Sequence, residues 1–233
     1  MRELADGVHS LGHAKGGHVR AFLVDAGGGE LILVDTLLEN DGRLVFDALR
    51  RLGREPGDVK RILLTHGHRS HLGGVAALKR ATGATIYAHP FEADIVSGDR
   101  RAQPVPLKLF AHPRLLPYQL AFRLNLSKHV PCPVDEPLVE GDVHGPLQVL
   151  HIPGHSPGHM GFHWPERGLL ITGDAVATWP ELYPGWPPFT LNDKQHAESL
   201  RRMASLEPRI AAVGHGDAIT ERAAERLHEL AAA

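Results

Sequence analysis

Short apolar runs separated by polar, glycine-rich turns open the chain and predict β-structure. Apolar residues concentrate at positions 7–11, 19–24 and 30–35, and the glycine-rich stretch 25–29 joins the last two runs. Two such runs joined by a short turn are typical of an antiparallel hairpin. From 41 to 52 the apolar residues recur every three or four positions, which predicts an amphipathic helix.

Strands and helices alternate along most of the remaining chain, a pattern typical of an α/β layer. No repeat or linker divides the chain, so we expect one domain over residues 1–233. The apolar runs predict strands at 61–64, 85–88, 147–152, 160–164, 168–172 and 210–213, and helices at 74–81, 193–206 and 218–231.

Two segments break this alternation. Residues 97–136 contain six prolines among many apolar residues, which predicts an irregular insertion. Because its apolar content is high, we expect it to pack either on a neighbouring subunit or over the mouth of an active site. Residues 179–190 form a loop rich in proline and aromatic side chains. Both segments are candidates for the lining of an apolar substrate pocket, with plain surface packing as an equal alternative.

Composition narrows the classes of function. The formal net charge is −2 and no basic run is present, which disfavours nucleic acid and anionic membranes as partners. The first residues lack the apolar core of a signal peptide, and no run approaches the roughly 20 apolar residues that span a bilayer, so a cytoplasmic protein is expected. Cys132 is the single cysteine, so any metal must be bound by histidine and carboxylate side chains.

The strongest candidate site is a cluster of three histidines after the apolar run 62–64. His66, His68 and His71 lie within six residues, where a predicted strand gives way to a helix. Residues two apart on an extended segment point the same way, so His66 and His68 can bind one ion. His71, on the first turn of the following helix, faces a neighbouring position.

Three further candidates follow predicted strands in the second half of the chain. His155 lies in a turn that begins with Pro153-Gly154, Asp174 follows a glycine, and His215 lies between two glycines. Glycine lets the backbone turn sharply, so side chains in such loops can reach a point shared by several strand ends.

These motifs, in this order, resemble the metallo-β-lactamase superfamily. Segment 66–71 matches the His-x-His-x-Asp-His signature of that family except at Ser70, where the family has aspartate. The resemblance implies an α/β fold, a four-layer αβ/βα sandwich in which two mixed β-sheets are flanked by helices. It covers nearly the whole chain.

The resemblance also implies a metal centre that holds one or two Zn²⁺ ions, with iron or manganese as alternatives. Asp174 would bridge the two ions and would be catalytic together with His71 and His215. The first ion would be bound by His66, His68, His155 and Asp174, and the second by His71, His215 and Asp174.

Ser70 weakens the second of these sites. A serine hydroxyl is neutral and shorter than a carboxylate, so it is a poor ligand for zinc. The second ion would bind loosely, or only the first site would fill, or catalysis would be lost while the fold survives. Among these outcomes we expect an occupied first site and a second site that is partly filled or empty.

The resemblance implies a hydrolase of a small ester, thioester, lactone or related acyl compound, acting by attack of metal-bound hydroxide. Asp174 argues against a true β-lactamase, and Ala177 weakens the lactonase alternative, since lactonases commonly have tyrosine there. The short stretch after His215 argues against glyoxalase II proteins, which continue into a helical glutathione-binding domain. A homodimer is compatible with the sequence.

Two other functions stay open. One is a mononuclear non-haem iron dioxygenase that resembles the persulfide dioxygenases, with iron bound by His66, His155 and Asp174. The other is a catalytically degenerate member of the family that binds a ligand without turnover.

Several other residues have open roles. His159 orients His155 or a metal-bound water, or it closes the loop, and Asp35 either hydrogen-bonds a ligand histidine or caps the following turn. His13 and His18 lie in a loop that could border the site. The remaining candidates are interpreted as surface residues or core hydrogen-bonders, namely His9, His112, His129, His144, His163, His196 and His228.

Overall fold

Two β-sheets pack face to face in this protein, and helices cover their outer sides. A computed structural model describes residues 1–104, 113–126 and 128–232. In the first sheet the strands follow chain order, antiparallel from β1 to β4 and parallel from β4 to β7. Its strands are β1 (Arg2–Ala5), β2 (Val8–Gly12), β3 (Arg20–Gly27), β4 (Glu30–Val34), β5 (Val59–Leu63), β6 (Thr85–Ala88) and β7 (Glu136–Pro137).

The second sheet is built from the second half of the chain. Its order is β12-β11-β10-β9-β8, with antiparallel neighbours, and β13 pairs with β11 in parallel. Its strands are β8 (Val143–His144), β9 (Leu147–His151), β10 (Met160–Trp164), β11 (Leu169–Ala177), β12 (Tyr183–Pro184) and β13 (Ile210–His215).

Helices lie outside both sheets. None of those in the described part of the chain is long and apolar enough to cross a membrane. They are α1 (Lys15–His18), α2 (Arg43–Arg51), α3 (Arg69–Leu72), α4 (Val75–Thr82), α5 (Pro90–Val96), α6 (Leu116–Arg123), α7 (Asp193–Ala204) and α8 (Ala223–Ala232).

The buried side chains divide into layers. Alternate residues of β3 point to opposite faces, so Phe22 packs between the sheets while Leu23 packs with residues of α2 and α4. Leu200 and Met203 of α7, with Leu227 of α8, cover the outer face of the second sheet. The order is therefore helices, sheet, sheet, helices, which confirms the expected four-layer αβ/βα sandwich.

Two predicted strands are longer in the structure and contain candidate site residues. Asp174 lies within β11, and His215 is the last residue of β13, whereas both were expected in loops after these strands. The pairing of β11 with β13 shifts register around Gly173, whose φ is +50°. Such an irregularity redirects side chains without ending a strand, so the apolar run alone predicted too early an end.

The 97–136 segment is less irregular than expected, because it contains α6. On this helix the Tyr118 ring lies 5.5 Å from the Trp179 ring and 5.9 Å from the Trp186 ring. Its described part therefore packs on the 179–190 loop. The apolar residues Leu107, Leu109 and Phe110, and the expectation for His112, lie outside the described residues.

The last helix begins later than predicted, at Ala223 rather than at 218. Ile219 donates its backbone N–H to Ala211 of β13 and accepts one in return, at 2.9 Å each. Backbone groups that pair with a strand in this way are not free to form helical hydrogen bonds.

Candidate metal centre

The six side chains expected to bind metal converge on one buried point. The loop after β5 supplies two histidines, α3 and the loop after β9 supply one each, and β11 and β13 supply the rest. In each of two groups the potential ligand atoms lie within 4.8 Å of one another, and the most exposed side chain, that of His68, is only 6% exposed. The first group is His66, His68, His155 and Asp174, and the second is His71, Asp174 and His215.

Asp174 joins the two groups. Its Oδ1 lies 3.2 Å from His71 Nε2. Its Oδ2 lies 3.3 Å from His215 Nε2, 3.5 Å from His155 Nε2 and 3.6 Å from His66 Nε2. One carboxylate thus faces four imidazole nitrogens, the position that a bridging ligand requires.

Most of these ligand atoms lack any other partner. Both Asp174 oxygens and the Nε2 atoms of His66, His71 and His215 are buried without a hydrogen bond to any described residue. Buried polar atoms are nearly always hydrogen-bonded, so five such atoms facing one another indicate a missing partner that accepts electron pairs. Imidazole nitrogen and carboxylate oxygen are ligands of zinc and related cations, so the residues fit a bound metal.

Asp35 fixes the orientation of two ligand histidines. Its Oδ2 lies 2.8 Å from His71 Nδ1 and also accepts the Thr65 hydroxyl at 2.8 Å. Since the Thr65 hydrogen is used in that bond, the hydroxyl oxygen accepts the Nδ1–H of His66, 3.0 Å away. In both histidines the proton therefore lies on Nδ1 and Nε2 faces the centre. Of the two roles considered for Asp35, the structure shows the hydrogen bond to a ligand histidine.

His215 is oriented by the opposite side of the site. Its Nδ1 donates to the carbonyl of Gly17 at 2.7 Å, and its ring stacks on Trp186 with centroids 3.8 Å apart. The loop that precedes β3 therefore borders the site through a backbone carbonyl. His18 itself stacks on Trp179 instead, with ring centroids 5.0 Å apart.

Charges in the second group stabilise one another. Burial alone would raise the pKa of Asp174, but the neighbouring His215 and His71 hold it well below its usual range. Burial alone would lower the pKa of His71, but Asp174 and Asp35 raise it to about 10. Without a metal, the two carboxylates thus favour a second proton on His71, at Nε2, and a metal bound there must displace that proton.

The first group is different, because its imidazoles are neutral. Burial lowers the pKa of His68 to about 4 and those of His66 and His155 well below 6.5. His159 lies beside them, with its pKa lowered to about 3 by burial, and its Nε2 accepts the backbone N–H of Asp174 at 3.1 Å. It thus positions the backbone of Asp174, a role that none of the sequence-based alternatives included.

Glu92 is a residue of this site that sequence reasoning missed. Its buried carboxylate accepts the Gly67 N–H at 2.9 Å, the Ser156 hydroxyl at 2.6 Å and the Gly158 N–H at 3.0 Å. A Cβ on Gly67 would lie 2.7 Å from the carboxylate, so glycine permits this close approach. Burial raises the pKa of Glu92, although the three hydrogen bonds favour the anion. This carboxylate ties together the two loops that carry three of the ligand histidines.

A cavity of about 600 Å³ borders the ligand cluster at His68, and Ser70 also lines it. The Phe122 ring of α6 lies 5.0 Å from the His68 ring and 5.7 Å from the Phe189 ring. The 97–136 segment and the 179–190 loop therefore both contribute to the wall of this cavity, one of the positions expected for the insertion.

A family model described as the metallo-beta-lactamase superfamily matches residues 14–215. The chain belongs to this superfamily. Its relatives support a metal-binding hydrolase. The probable metallo-hydrolase YflN of Bacillus subtilis is 28% identical, over 94% of this chain and 87% of the relative. A hydroxyacylglutathione hydrolase of Cereibacter sphaeroides is 32% identical, over 81% of this chain and 67% of the relative.

Solved structures of the superfamily support the fold. The metallo-beta-lactamase family protein TTHA1429 from Thermus thermophilus superposes with a TM-score of 0.69 at 29% identity, over 99% of this chain and 80% of that one. TTHA1623, solved in a di-iron-bound form, gives a TM-score of 0.62 at 29% identity, over 87% and 89% of the two chains.

The other histidines of the described chain lie outside both metal-ligand groups. His13 Nε2 lies 2.5 Å from Glu39 Oε1, and buried His196 Nε2 lies 2.9 Å from the backbone oxygen of Ala175. These contacts account for His13 and His196 as structural residues.

Proposed function

We propose that this chain is a metal-dependent hydrolase of a small acyl thioester or ester, with lactones as related substrates. The observation that carries the proposal is the set of five buried ligand atoms, from His66, His71, His215 and Asp174, that face one another without partners among the described residues. A thioester is favoured by the relative named hydroxyacylglutathione hydrolase. This match outweighs the sequence argument against glutathione-thioester enzymes, which used only the stretch after His215.

A metal held by these residues would supply a Lewis acid that activates water and polarises the substrate carbonyl. The protein's own residues prepare the site for it. Asp35 and the Gly17 carbonyl keep the Nε2 atoms of His71 and His215 directed at the centre. Asp174 provides negative charge between the two ligand groups. The proposed catalytic residues are Asp174, His71 and His215. The aromatic residues around the cavity exclude bulk water, which strengthens every charge interaction inside.

The two ligand groups are proposed to differ in affinity. The first group offers three neutral imidazoles and a carboxylate, which is a complete set for a tetrahedral site. The second offers only His71, His215 and the shared Asp174, because Ser70 adds no charge. We therefore expect one tightly bound ion and a second that is weak or absent.

The experiment that tests the proposal is metal removal and restoration on untagged protein. Emission spectroscopy would measure the metal content, and a panel of thioesters, esters and lactones would measure hydrolysis. We expect hydrolysis to fall to background after chelation and to return with one equivalent of metal. Hydrolysis that survives complete removal of metal would overturn the proposal.

Variants separate the alternatives. Asp174→Asn should lose both metal and activity, whereas His228→Asn, at an exposed histidine bonded to Glu207, should keep both. Iron in the protein with oxygen uptake on glutathione persulfide would instead support the mononuclear dioxygenase. Full metal content with no turnover of any substrate would support a degenerate, ligand-binding member.

A further inference from the structure

The charges that line the cavity are of one sign. Five cationic residues line it, and none of its described lining residues is a carboxylate. The whole chain, in contrast, has 25 lysines and arginines against 27 aspartates and glutamates. The cations of the cavity, called here the cationic rim, are Arg69, Arg100, Arg101, Arg123 and Lys128.

Most of these cations have no carboxylate of the described residues within ion-pair distance. Arg69, Arg100, Arg101 and Lys128 form no ion pair with any carboxylate of the described residues. Clefts lined by one sign of charge with low-dielectric walls focus the field and attract ligands of opposite sign. The cavity is therefore a region of positive potential on a chain whose net charge is negative.

The rim has a fixed inner member and exposed outer members. Arg69 directly follows His68 and is held by hydrogen bonds to the Leu38 carbonyl and, at 2.7 Å, to Asn40. Arg101 and Lys128 are exposed to solvent. A ligand in the cavity thus meets one hydrogen-bonded charge beside the metal centre and solvent-exposed charges further out.

The same cavity has an apolar side, called here the aromatic wall. It consists of Tyr118, Phe122, Trp186 and Phe189, and the Trp186 and Phe189 rings stack with centroids 4.6 Å apart. A ligand that fits both surfaces has an apolar part against the rings and an anionic part against the rim.

We infer that the substrate is an anionic acyl compound, with an apolar acyl group on the aromatic wall and a carboxylate or phosphate paired with the cationic rim. This inference rests on the proposed function, because the scissile acyl bond must lie at the metal centre between these two surfaces. Two sources of the anion share this chemistry, so the experiment contains an arm for each.

Binding to metal-loaded protein tests the inference independently of turnover. The probes are two pairs of non-hydrolysable thioethers, measured by calorimetry. One pair is S-butyl-N-acetylcysteine and its uncharged amide, and the other is S-butyl phosphopantetheine and S-butyl pantetheine. We expect the charged member of at least one pair to bind roughly fivefold to tenfold more tightly, with the preference disappearing at high salt. Equal binding within both pairs would overturn the inference.

Charge reversal shows whether the rim causes the preference. The double variant Arg101→Glu, Lys128→Glu should reduce it to less than about twofold, because two attractive charges become repulsive. Arg51→Glu, an exposed arginine of α2 outside the cavity, is the matched control and should leave the preference intact. A preference that persists in the double variant would assign the anion to the metal itself and contradict the rim's role.

Hydrolysis of the matching butyryl thioesters distinguishes this inference from the proposed function. Turnover without a charge preference would support the proposed hydrolase and contradict the inference that the substrate is anionic. A charge preference in binding without turnover of any ester or thioester would support an anionic ligand and contradict the proposed hydrolase.

Discussion

Two regions of the site differ in how firmly their side chains are held. They are the metal-ligand cluster, called here the floor, and the side of the cavity around α6, called here the wall. The floor is the metal-ligand cluster, in which every ligand is buried and the second nitrogens of His66, His71 and His215 are hydrogen-bonded. The wall around α6 is more open, and Leu124 and Leu126 just after that helix are 66% and 71% exposed. This side is thus partly open to solvent, although α6 itself packs on the 179–190 loop.

This difference suggests that the two regions have separate functions. Catalytic geometry tolerates errors of only about 0.5 Å, so the groups that hold the metal are fixed by buried partners. A surface that selects substrates needs complementary shape and charge, which the aromatic wall and the cationic rim supply. The variants below test whether the floor controls metal affinity and the wall controls substrate affinity.

The largest effect is expected from Asp35→Asn in the floor. The amide keeps the size of the side chain, but its nitrogen is a donor. It therefore cannot accept all the hydrogen bonds that the carboxylate accepts from Thr65 and His71. Loss of such a partner typically lowers metal affinity by about 10- to 100-fold. Competition with a chromophoric chelator would measure the change, with exposed Asp47→Asn as the control. Unchanged affinity would mean that Asp35 does not orient the ligands.

Glu92→Gln should have the next largest effect. The amide nitrogen would face an N–H or hydroxyl donor in a buried position, which costs about 1–3 kcal/mol. We expect a lower melting temperature and about a tenfold loss of metal affinity, because both ligand loops shift. Exposed Glu136→Gln is the matched control. A lower melting temperature without any loss of metal would limit Glu92 to a structural role.

Ser70→Asp should strengthen the second ligand group. An added carboxylate within a few ångströms of a divalent ion should raise the affinity for the second equivalent of metal by about tenfold or more. Calorimetric titration of the metal-free protein would resolve the two equivalents. Ser70→Asn has nearly the same size without the charge, and equal binding by the two variants would show that Ser70 is not the cause of a weak second site.

The smallest effect is expected in the wall. Phe122→Ala removes the ring that contacts His68 and Phe189, so KM should rise roughly three- to tenfold through lost apolar contact. Metal content and kcat should change little. Steady-state kinetics and metal analysis on the same sample check this, and a loss of metal would contradict the separation between floor and wall.

Sequence reasoning found the ligands because their signals are local. His66, His68 and His71 lie in one short segment after an apolar strand, and that pattern alone places them together. The partners that orient the ligands are distant in sequence. Glu92 bonds to residues 25, 64 and 66 positions away, and Asp35 bonds to His71 36 positions away. No local sequence pattern predicts such contacts.

The missed helices have a different cause. Prolines in 97–136 led to the expectation of an irregular segment, and no helix was predicted after the strand at 85–88, yet Pro90 and Pro117 lie in the first turns of α5 and α6 respectively. Proline is favoured at that position, because its missing N–H would have no helical partner there. With both helices unrecognised, Glu92 and the aromatic residues of α6 had no predicted position in the fold.

Anomalous scattering from crystals of metal-loaded, untagged protein tests the central claim most directly. Data on both sides of the metal edge would locate each ion and report its occupancy. We expect a fully occupied position among His66, His68, His155 and Asp174, and a weaker one beside His71 and His215. No metal at the first position, or equal full occupancy at both, would contradict that claim.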